Sequence, residues 1–153
     1  MQQLRQRILC VDDNADICEM LITLLGMEGY DVASASTVEE AKRFAGADSF
    51  DLFILDRMSP RGTGLELCRE LRRQHPHTPI IIYSGDVFER AHKAAAQAGA
   101  TAYVNKPQIK ELVSAVNKHV KERLLAYELN TTRGKDLVTL ESKPGDHRLV
   151  SVS

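Results

Sequence analysis

Cysteines are few in this sequence, and long hydrophobic runs are absent. The three cysteines are odd in number and lie within apolar stretches, which argues against a disulfide framework and favours reduced, buried thiols. The apolar run before Asp12 has only four residues, 8–11, too few for a signal-peptide core or a membrane span. We therefore expect a cytoplasmic protein that is neither exported nor inserted in a membrane.

A strong charge of either sign is missing as well. Twenty Lys and Arg residues face 21 Asp and Glu residues, which gives a formal net charge of −1. This balance argues against a protein that wraps nucleic acid or an anionic membrane, so we expect no direct nucleic-acid binding. With 153 residues, of which 43% are hydrophobic and 27% charged, the chain is long enough for one globular domain and a short appendage.

Short apolar runs alternate with stretches of helical periodicity. Apolar runs without polar alternation are typical of strands buried on both faces, and strands that alternate with helices build a parallel sheet. The predicted strands are 8–11, 32–34, 52–55, 80–83 and 102–104, and the predicted helical stretches are 17–25, 38–44, 65–71, 87–98 and 109–124. The S-x-x-E pattern from Ser36 to Glu39 predicts a capping box at the second helix. Five such units predict an open, doubly wound α/β domain.

The last 27 residues, 127–153, differ in character from the rest. They show no helical stripe, and residues 130–134 and 144–146 indicate breaks. Acidic and basic residues are balanced there, so the segment is no charged arm. We expect a short C-terminal tail that is flexible or docks on a partner.

Polar residues follow four of the five predicted strands. Asp12 and Asp13 follow the first strand, Asp56 the third, Ser84 the fourth and Lys106 the fifth. Because ligands of open α/β sheets bind outside the carboxyl ends of the strands, we expect these side chains to share one crevice. Each residue alone has an ordinary interpretation as a helix cap, a turn residue or a helix N-terminal acid.

Three carboxylates in one crevice require positive charge. Two carboxylates about 4 Å apart repel by roughly 4 kcal/mol at an effective dielectric of 20. Lys106 neutralises one charge, and a divalent cation with oxygen ligands neutralises the rest; Mg²⁺ fits best and Mn²⁺ is a possible substitute. The metal, Lys106 and the Ser84 hydroxyl would cradle a phosphoryl group, which makes Asp56 the candidate nucleophile.

These residues occur in an order that resembles a known family. The motifs are Asp12-Asp13, the run from Asp51 to Asp56, Pro60, Gly64, Ser84-Gly85 and the run from Tyr103 to Pro107. Together they resemble the receiver domain of two-component response regulators, a family that includes the chemotaxis regulator. The resemblance extends over about residues 6–124. The resemblance implies a receiver domain over 1–126 with a flavodoxin-like (βα)5 fold, strand order 2-1-3-4-5 and a cis Lys106–Pro107 bond.

The resemblance also implies the residues that hold the metal and the phosphoryl group. Asp56 would be the phosphoacceptor, and the donor would be a sensor histidine kinase or a histidine phosphotransfer protein. Asp13 would bind Mg²⁺ directly and Asp12 largely through water, Asp56 would also be a metal residue, and the backbone carbonyl of Met58 would complete the protein's ligands. Such a domain promotes only its own phosphorylation and dephosphorylation, so we do not expect an enzyme.

Switching is implied by the same resemblance. Ser84 and Lys106 would contact the phosphoryl group, and Ser84 would move toward it while Tyr103 turns inward. This motion would reshape the face formed by the fourth helix, fifth strand and fifth helix, and the expected partners are a downstream protein target and, as a possible homodimer, a second copy of the chain. Met58 and Asp86 would tune the lifetime of the phosphoryl group.

The sequence departs from the usual pattern at Arg57 and Ser59, on the rim loop beside the acceptor, where they would affect partner choice or loop order. Two alternatives remain open. One is an interaction module of the same fold that binds its partner independently of phosphorylation. The other is an enzyme or flavin carrier, against which the acidic residues 12–13 argue, because they would repel a bare phosphate.

Overall fold

Helices and strands alternate along the whole domain. The computed structural model describes residues 4–58 and 63–141, with side chains up to Arg133. The elements are β1 (Arg7–Val11), α1 (Ala15–Met27), β2 (Asp31–Ala35), α2 (Val38–Ala47), β3 (Leu52–Leu55), α3 (Thr63–Gln74), β4 (Ile80–Ser84), α4 (Glu89–Gln97), β5 (Ala102–Asn105) and α5 (Ile109–Glu141). Each predicted strand and helical stretch corresponds to one of them.

The five strands form one parallel sheet in the order β2-β1-β3-β4-β5. Leu9 of β1, for example, lies opposite Ala33 of β2 and Phe53 of β3. This is the open α/β domain that the sequence pattern predicts, with the flavodoxin-like strand order that the resemblance implies. The order reverses beside β1, so the carboxyl ends of β1 and β3 flank the crevice in which ligands of such sheets bind.

Two apolar clusters cover the two faces of the sheet. Successive side chains of a strand point to opposite faces, so the central strands need apolar residues at every position. Val11 and Leu55 pack with residues of α2, α3 and α4, whereas Cys10 and Ile54 pack with residues of α1 and α5. The three cysteines are free and buried, as predicted. Within the described residues, no helix is long and apolar enough to cross a bilayer.

The predicted cap of α2 is wrong by one residue. The cap is Thr37, whose hydroxyl accepts a hydrogen bond from the Glu40 backbone N–H at 3.1 Å. Thr37 and Glu40 also fit the capping pattern, three residues apart, so the sequence contains two overlapping candidates. The structure places the cap at the second of them.

The predicted break at 130–134 is also wrong, because α5 continues through these residues to Glu141. The side chains from Leu124 to Arg133 are exposed. A helix that buries no face carries no apolar stripe, so periodicity does not reveal it. The second predicted break, 144–146, lies outside the described residues.

Candidate functional site

Three carboxylates meet at the carboxyl edge of the sheet. Asp12 and Asp13 follow β1, and Asp56 follows the neighbouring strand β3, whose end is held to β1 by a hydrogen bond from Asp56 N–H to the Val11 carbonyl. One oxygen from each carboxylate lies within 4.8 Å of the other two. Asp12 is only 4% exposed, whereas Asp13 is open to solvent. The parallel topology therefore brings the predicted acidic residues together.

Lys106 joins this group from the end of β5. Its Nζ lies 2.7 Å from Asp12 Oδ2 and 3.4 Å from Asp56 Oδ1. Burial lowers the pKa of Lys106, but the hydrogen bond to Asp12 and the charges of Asp56 and Asp12 outweigh it, so the pKa is raised overall. The lysine therefore stays charged between the two carboxylates.

The surroundings of Asp56, unlike those of Lys106, disfavour its charged form. Burial raises the pKa of Asp56, and the nearby Asp12 carboxylate raises it further. Lys106 and a hydrogen bond from the Met58 backbone N–H, at 3.2 Å, act in the opposite direction without cancelling the rise. Burial and the neighbouring carboxylate therefore disfavour the charged form of Asp56 in spite of the lysine.

The backbone after β1 fixes the position of Asp12. Asn14 donates its backbone N–H to Asp12 Oδ1 at 2.9 Å, and its own side chain caps α1 by accepting from the N–H groups of Asp16 and Ile17. Cys18 contacts the Asp12 carbonyl at 3.4 Å from within α1. Sequence reasoning missed this role of Asn14, although an asparagine just before a helical stripe is a typical N-cap signal.

An open cleft of about 600 Å³ lies beside Asp56, toward α4. Met58, Ser84 and Asp86 line it together with the acceptor. Ser84 is 4% exposed, and its hydroxyl accepts a hydrogen bond from the Asp86 N–H at 3.3 Å. The hydroxyl and the acceptor thus share one cavity, as strand-end placement predicts.

Asp86 connects the cleft to Tyr103. The Tyr103 hydroxyl donates to the Asp86 backbone carbonyl at 2.7 Å, and the half-buried ring packs against the apolar cluster beneath α4. His92 stacks on that ring with 3.9 Å between centroids. On the other side, the Arg57 guanidinium pairs with the Asp86 carboxylate at 2.8 Å. Sequence reasoning named Arg57 and Asp86 separately and missed their contact, because it joins two loops.

Other sequence-based expectations concern the loops. The Lys106–Pro107 bond is cis, as the resemblance implies. Met58, two residues after Asp56, adopts a positive φ of 64°. Ser59 and Pro60 lie outside the described residues.

The donor set suits a small, hard cation. All three acidic groups offer carboxylate oxygens, the ligands that Mg²⁺ and Mn²⁺ prefer, and the clustered charge that Lys106 leaves uncompensated favours a divalent ion. Exposed Asp13 leaves one side open to water, which Mg²⁺ characteristically retains. A carboxylate beside such an ion, a lysine and a hydroxyl has the groups needed to accept a phosphoryl group.

Comparison with known proteins points to one family. A model of the response regulator receiver domain matches residues 8–117. Response regulator protein PilR of Pseudomonas aeruginosa is 35% identical over 114 residues, which are 72% of this chain and 26% of PilR. The alkaline phosphatase synthesis transcriptional regulatory protein PhoP of Bacillus subtilis is 35% identical over 78% of this chain and 50% of its own length. The chain thus spans between about a quarter and a half of these relatives.

A solved structure gives the same result at the level of the fold. Response regulator protein TrrA from Thermotoga maritima, crystallised in complex with Mg²⁺ and BeF, superimposes with a TM-score of 0.67 and 35% sequence identity. The match covers 74% of this chain and 98% of TrrA. The fold is therefore shared over nearly the whole of the TrrA chain.

Proposed function

Because the chain belongs to the response regulator receiver domain family, we propose that it accepts a phosphoryl group on Asp56. The donor is a phosphohistidine on a sensor histidine kinase or a histidine phosphotransfer protein. The observation that carries the proposal is the cluster of Asp12, Asp13 and Asp56 oxygens within 4.8 Å, with the Lys106 ammonium 3.4 Å from Asp56. An interaction module that works without phosphorylation has no need for this costly concentration of charge.

Mg²⁺ is the metal that we propose for the site, with Mn²⁺ as a substitute. Asp13 and Asp56 would bind it directly and Asp12 largely through water, and the backbone carbonyl of Met58 would add a further oxygen. When bound, the ion neutralises charge on the carboxylates and on the incoming phosphoryl group. Asp13 is exposed and Asp56 half-buried, so both are accessible to it.

The transfer itself uses groups of this chain. A carboxylate oxygen of Asp56 forms the new P–O bond while the P–N bond to the donor histidine breaks, and the electron pair of that bond stays on the imidazole nitrogen, which takes up a proton. The Lys106 ammonium and the Ser84 hydroxyl stabilise the charge on the phosphoryl oxygens. Met58 and Asp86, which line the same cleft, tune how fast water removes the group.

Signal output follows from contacts beyond the acceptor. Ser84 moves toward the phosphoryl group and Tyr103 packs inward, which reshapes the face formed by α4, β5 and α5. A downstream protein target binds this face, or a second copy of the chain does. Residues 127–153 lie beyond the receiver domain and are a second candidate region for partner docking.

Phosphorylation by a small donor tests the acceptor directly. The chain is incubated with phosphoramidate and Mg²⁺, and the covalent product is measured by intact-protein mass spectrometry and peptide mapping. We expect one phosphoryl group on wild type and none on Asp56→Asn. Asp48→Asn is the matched control, because Asp48 is half-exposed and lies away from the carboxyl edge, after α2.

Two results would contradict the proposal. Equal incorporation into wild type and Asp56→Asn would show that another residue accepts the group. A lack of incorporation into wild type and Asp48→Asn alike, with Mg²⁺ present, would favour the module that works without phosphorylation.

A further inference from the structure

The geometry points to Arg57 as a positioning residue that acts through Asp86 on Tyr103. Arg57 directly follows the acceptor, and its ion pair with Asp86 joins the loop after β3 to the loop after β4. We infer that this pair favours the arrangement in which Tyr103 is packed inward. The inference rests on the proposed function only where it links Tyr103 to phosphorylation.

Asp86 makes a different contact with each of its polar groups. Its backbone N–H donates to the Ser84 hydroxyl at 3.3 Å, and its backbone carbonyl accepts from the Tyr103 hydroxyl at 2.7 Å. One carboxylate oxygen accepts from the Phe88 N–H at 3.0 Å, and the other accepts from Arg57 at 2.8 Å. A displacement of Asp86 would therefore change its contact with Ser84 in the acceptor cleft and its contact with Tyr103 at the same time.

Arg57 depends on Asp86 for its own position. Among the described residues, Asp86 is the only carboxylate within ion-pair distance of Arg57, and the Arg57 Nε is buried without a hydrogen-bond partner. The side chains are 25% and 31% exposed, so the pair is partly shielded from water. A pair of this kind holds the two loops at one spacing more firmly than a fully exposed pair does.

The pair is coupled to Tyr103 because both contacts use the same short loop. The Tyr103 ring is held between the apolar cluster and His92, and its hydroxyl reaches the Asp86 carbonyl only while that carbonyl keeps its place. Loss of Arg57 removes one of the two contacts of the Asp86 carboxylate, leaves the contact with the Phe88 N–H, and loosens the carbonyl. If the inward arrangement of Tyr103 accompanies phosphorylation, a phosphoryl analogue binds that arrangement more tightly. A variant that disfavours the arrangement, such as one without Arg57, must then bind the analogue more weakly.

The first test reads Tyr103 in the full chain without any ligand. Carbon-13-labelled tyrosine rings are observed by NMR, and Tyr103→Phe identifies the Tyr103 signals among those of the four tyrosines. We expect Arg57→Ala to shift the Tyr103 ring signals, and Arg57→Lys to restore them in part because it keeps the charge. Asp86→Asn keeps the oxygen that caps Phe88 but loses the carboxylate charge, so it should reproduce the Arg57→Ala shift.

The double variant decides whether Arg57 acts through Asp86. In the Asp86→Asn background, Arg57→Ala should have no further effect on the Tyr103 signals. Unchanged Tyr103 signals in Arg57→Ala, or an undiminished effect in the double variant, would overturn the inference. Arg43→Ala is the control for the loss of one positive charge, because Arg43 is an exposed residue of α2 outside the cleft and makes no ion pair among the described residues.

The second test measures binding of Mg²⁺-beryllofluoride as the phosphoryl analogue. Arg57→Ala should weaken it about two- to fivefold, the range expected for a partly shielded ion pair, whereas Arg43→Ala should leave it unchanged. Equal affinity of wild type and Arg57→Ala would overturn the link to phosphorylation. If wild type binds no beryllofluoride at all, the proposed function fails, and the ligand-free Tyr103 signals still decide the role of Arg57.

Discussion

Gly64 allows the start of α3 to lie directly against the end of β3. A β-carbon at this position would meet the Asp56 carbonyl oxygen well inside van der Waals contact and would lie 2.9 Å from the Arg57 Cα. Both neighbours are backbone atoms, which cannot turn aside as a flexible side chain does. Gly64 N–H also donates to the Arg57 carbonyl at 3.2 Å. The glycine therefore sets the path of the chain directly behind the acceptor.

Replacement of Gly64 by alanine should destabilise the domain. Because the methyl group forces the backbone of α3 away from residues 56 and 57, we expect the free energy of unfolding to fall by about 1–3 kcal/mol. Urea denaturation followed by circular dichroism measures this change.

The matched control for this prediction is Gly46→Ala. Gly46 is an exposed residue of α2, and a β-carbon added there would have no neighbouring atom within 4 Å. The same substitution should therefore stabilise the protein by up to about 1 kcal/mol through helix propensity. If Gly64→Ala proved as stable as Gly46→Ala, the close approach would not be a constraint in solution.

Which residues form the site is largely predictable from the sequence, and how they contact one another is not. Asp12, Asp56 and Lys106 could be predicted because each lies at the end of an apolar run and parallel strands end at one edge. The Arg57–Asp86 pair and the role of Gly64 depend on the spacing of loops and on a backbone approach. Neither leaves a periodic signal in the sequence.

At the scale of single elements, α5 consists of a first part that packs on the sheet and a second part whose side chains are exposed. Its first part buries Leu112, Val116 and Val120 against the sheet, and Arg123 pairs with Asp51. From Leu124 to Arg133 every side chain is exposed. The first part has a clear apolar stripe and could be predicted, whereas the second part is helical without one.

Substitution of an apolar side chain by alanine should change the free energy of unfolding differently in the two parts of α5. Val116→Ala removes buried methyl groups and should lower the free energy of unfolding by about 1–3 kcal/mol. Leu129, which is 62% exposed, should tolerate alanine within about 0.5 kcal/mol. Urea denaturation at two protein concentrations measures both.

The outcome for Leu129 also bears on assembly. A large loss of stability in Leu129→Ala that grows with protein concentration would contradict an exposed helix and would indicate that a second copy covers this part of α5.

At the scale of the whole molecule, near-neutral net charge conceals a strong local imbalance. The chain carries 20 basic and 21 acidic residues, yet Asp12, Asp13 and Asp56 lie together, and among the described residues Lys106 is the one cation within ion-pair distance of them. The fold gathers these acids because they follow adjacent strands, so their repulsion opposes folding of the entire domain. An ion that binds only the assembled cluster must therefore stabilise the native state.

Addition of Mg²⁺ should raise the stability of wild type through this binding. At a concentration ten times the dissociation constant, the free energy of unfolding should rise by about 1.4 kcal/mol, provided that the unfolded chain does not bind the ion. Asp13→Asn should lose most of this gain, and because Asp13 is exposed its removal should not disturb the fold. Thermal unfolding with MgCl₂, and with NaCl at equal ionic strength, separates binding from screening. An equal rise in NaCl, or in Asp13→Asn, would mean that these carboxylates do not hold the metal.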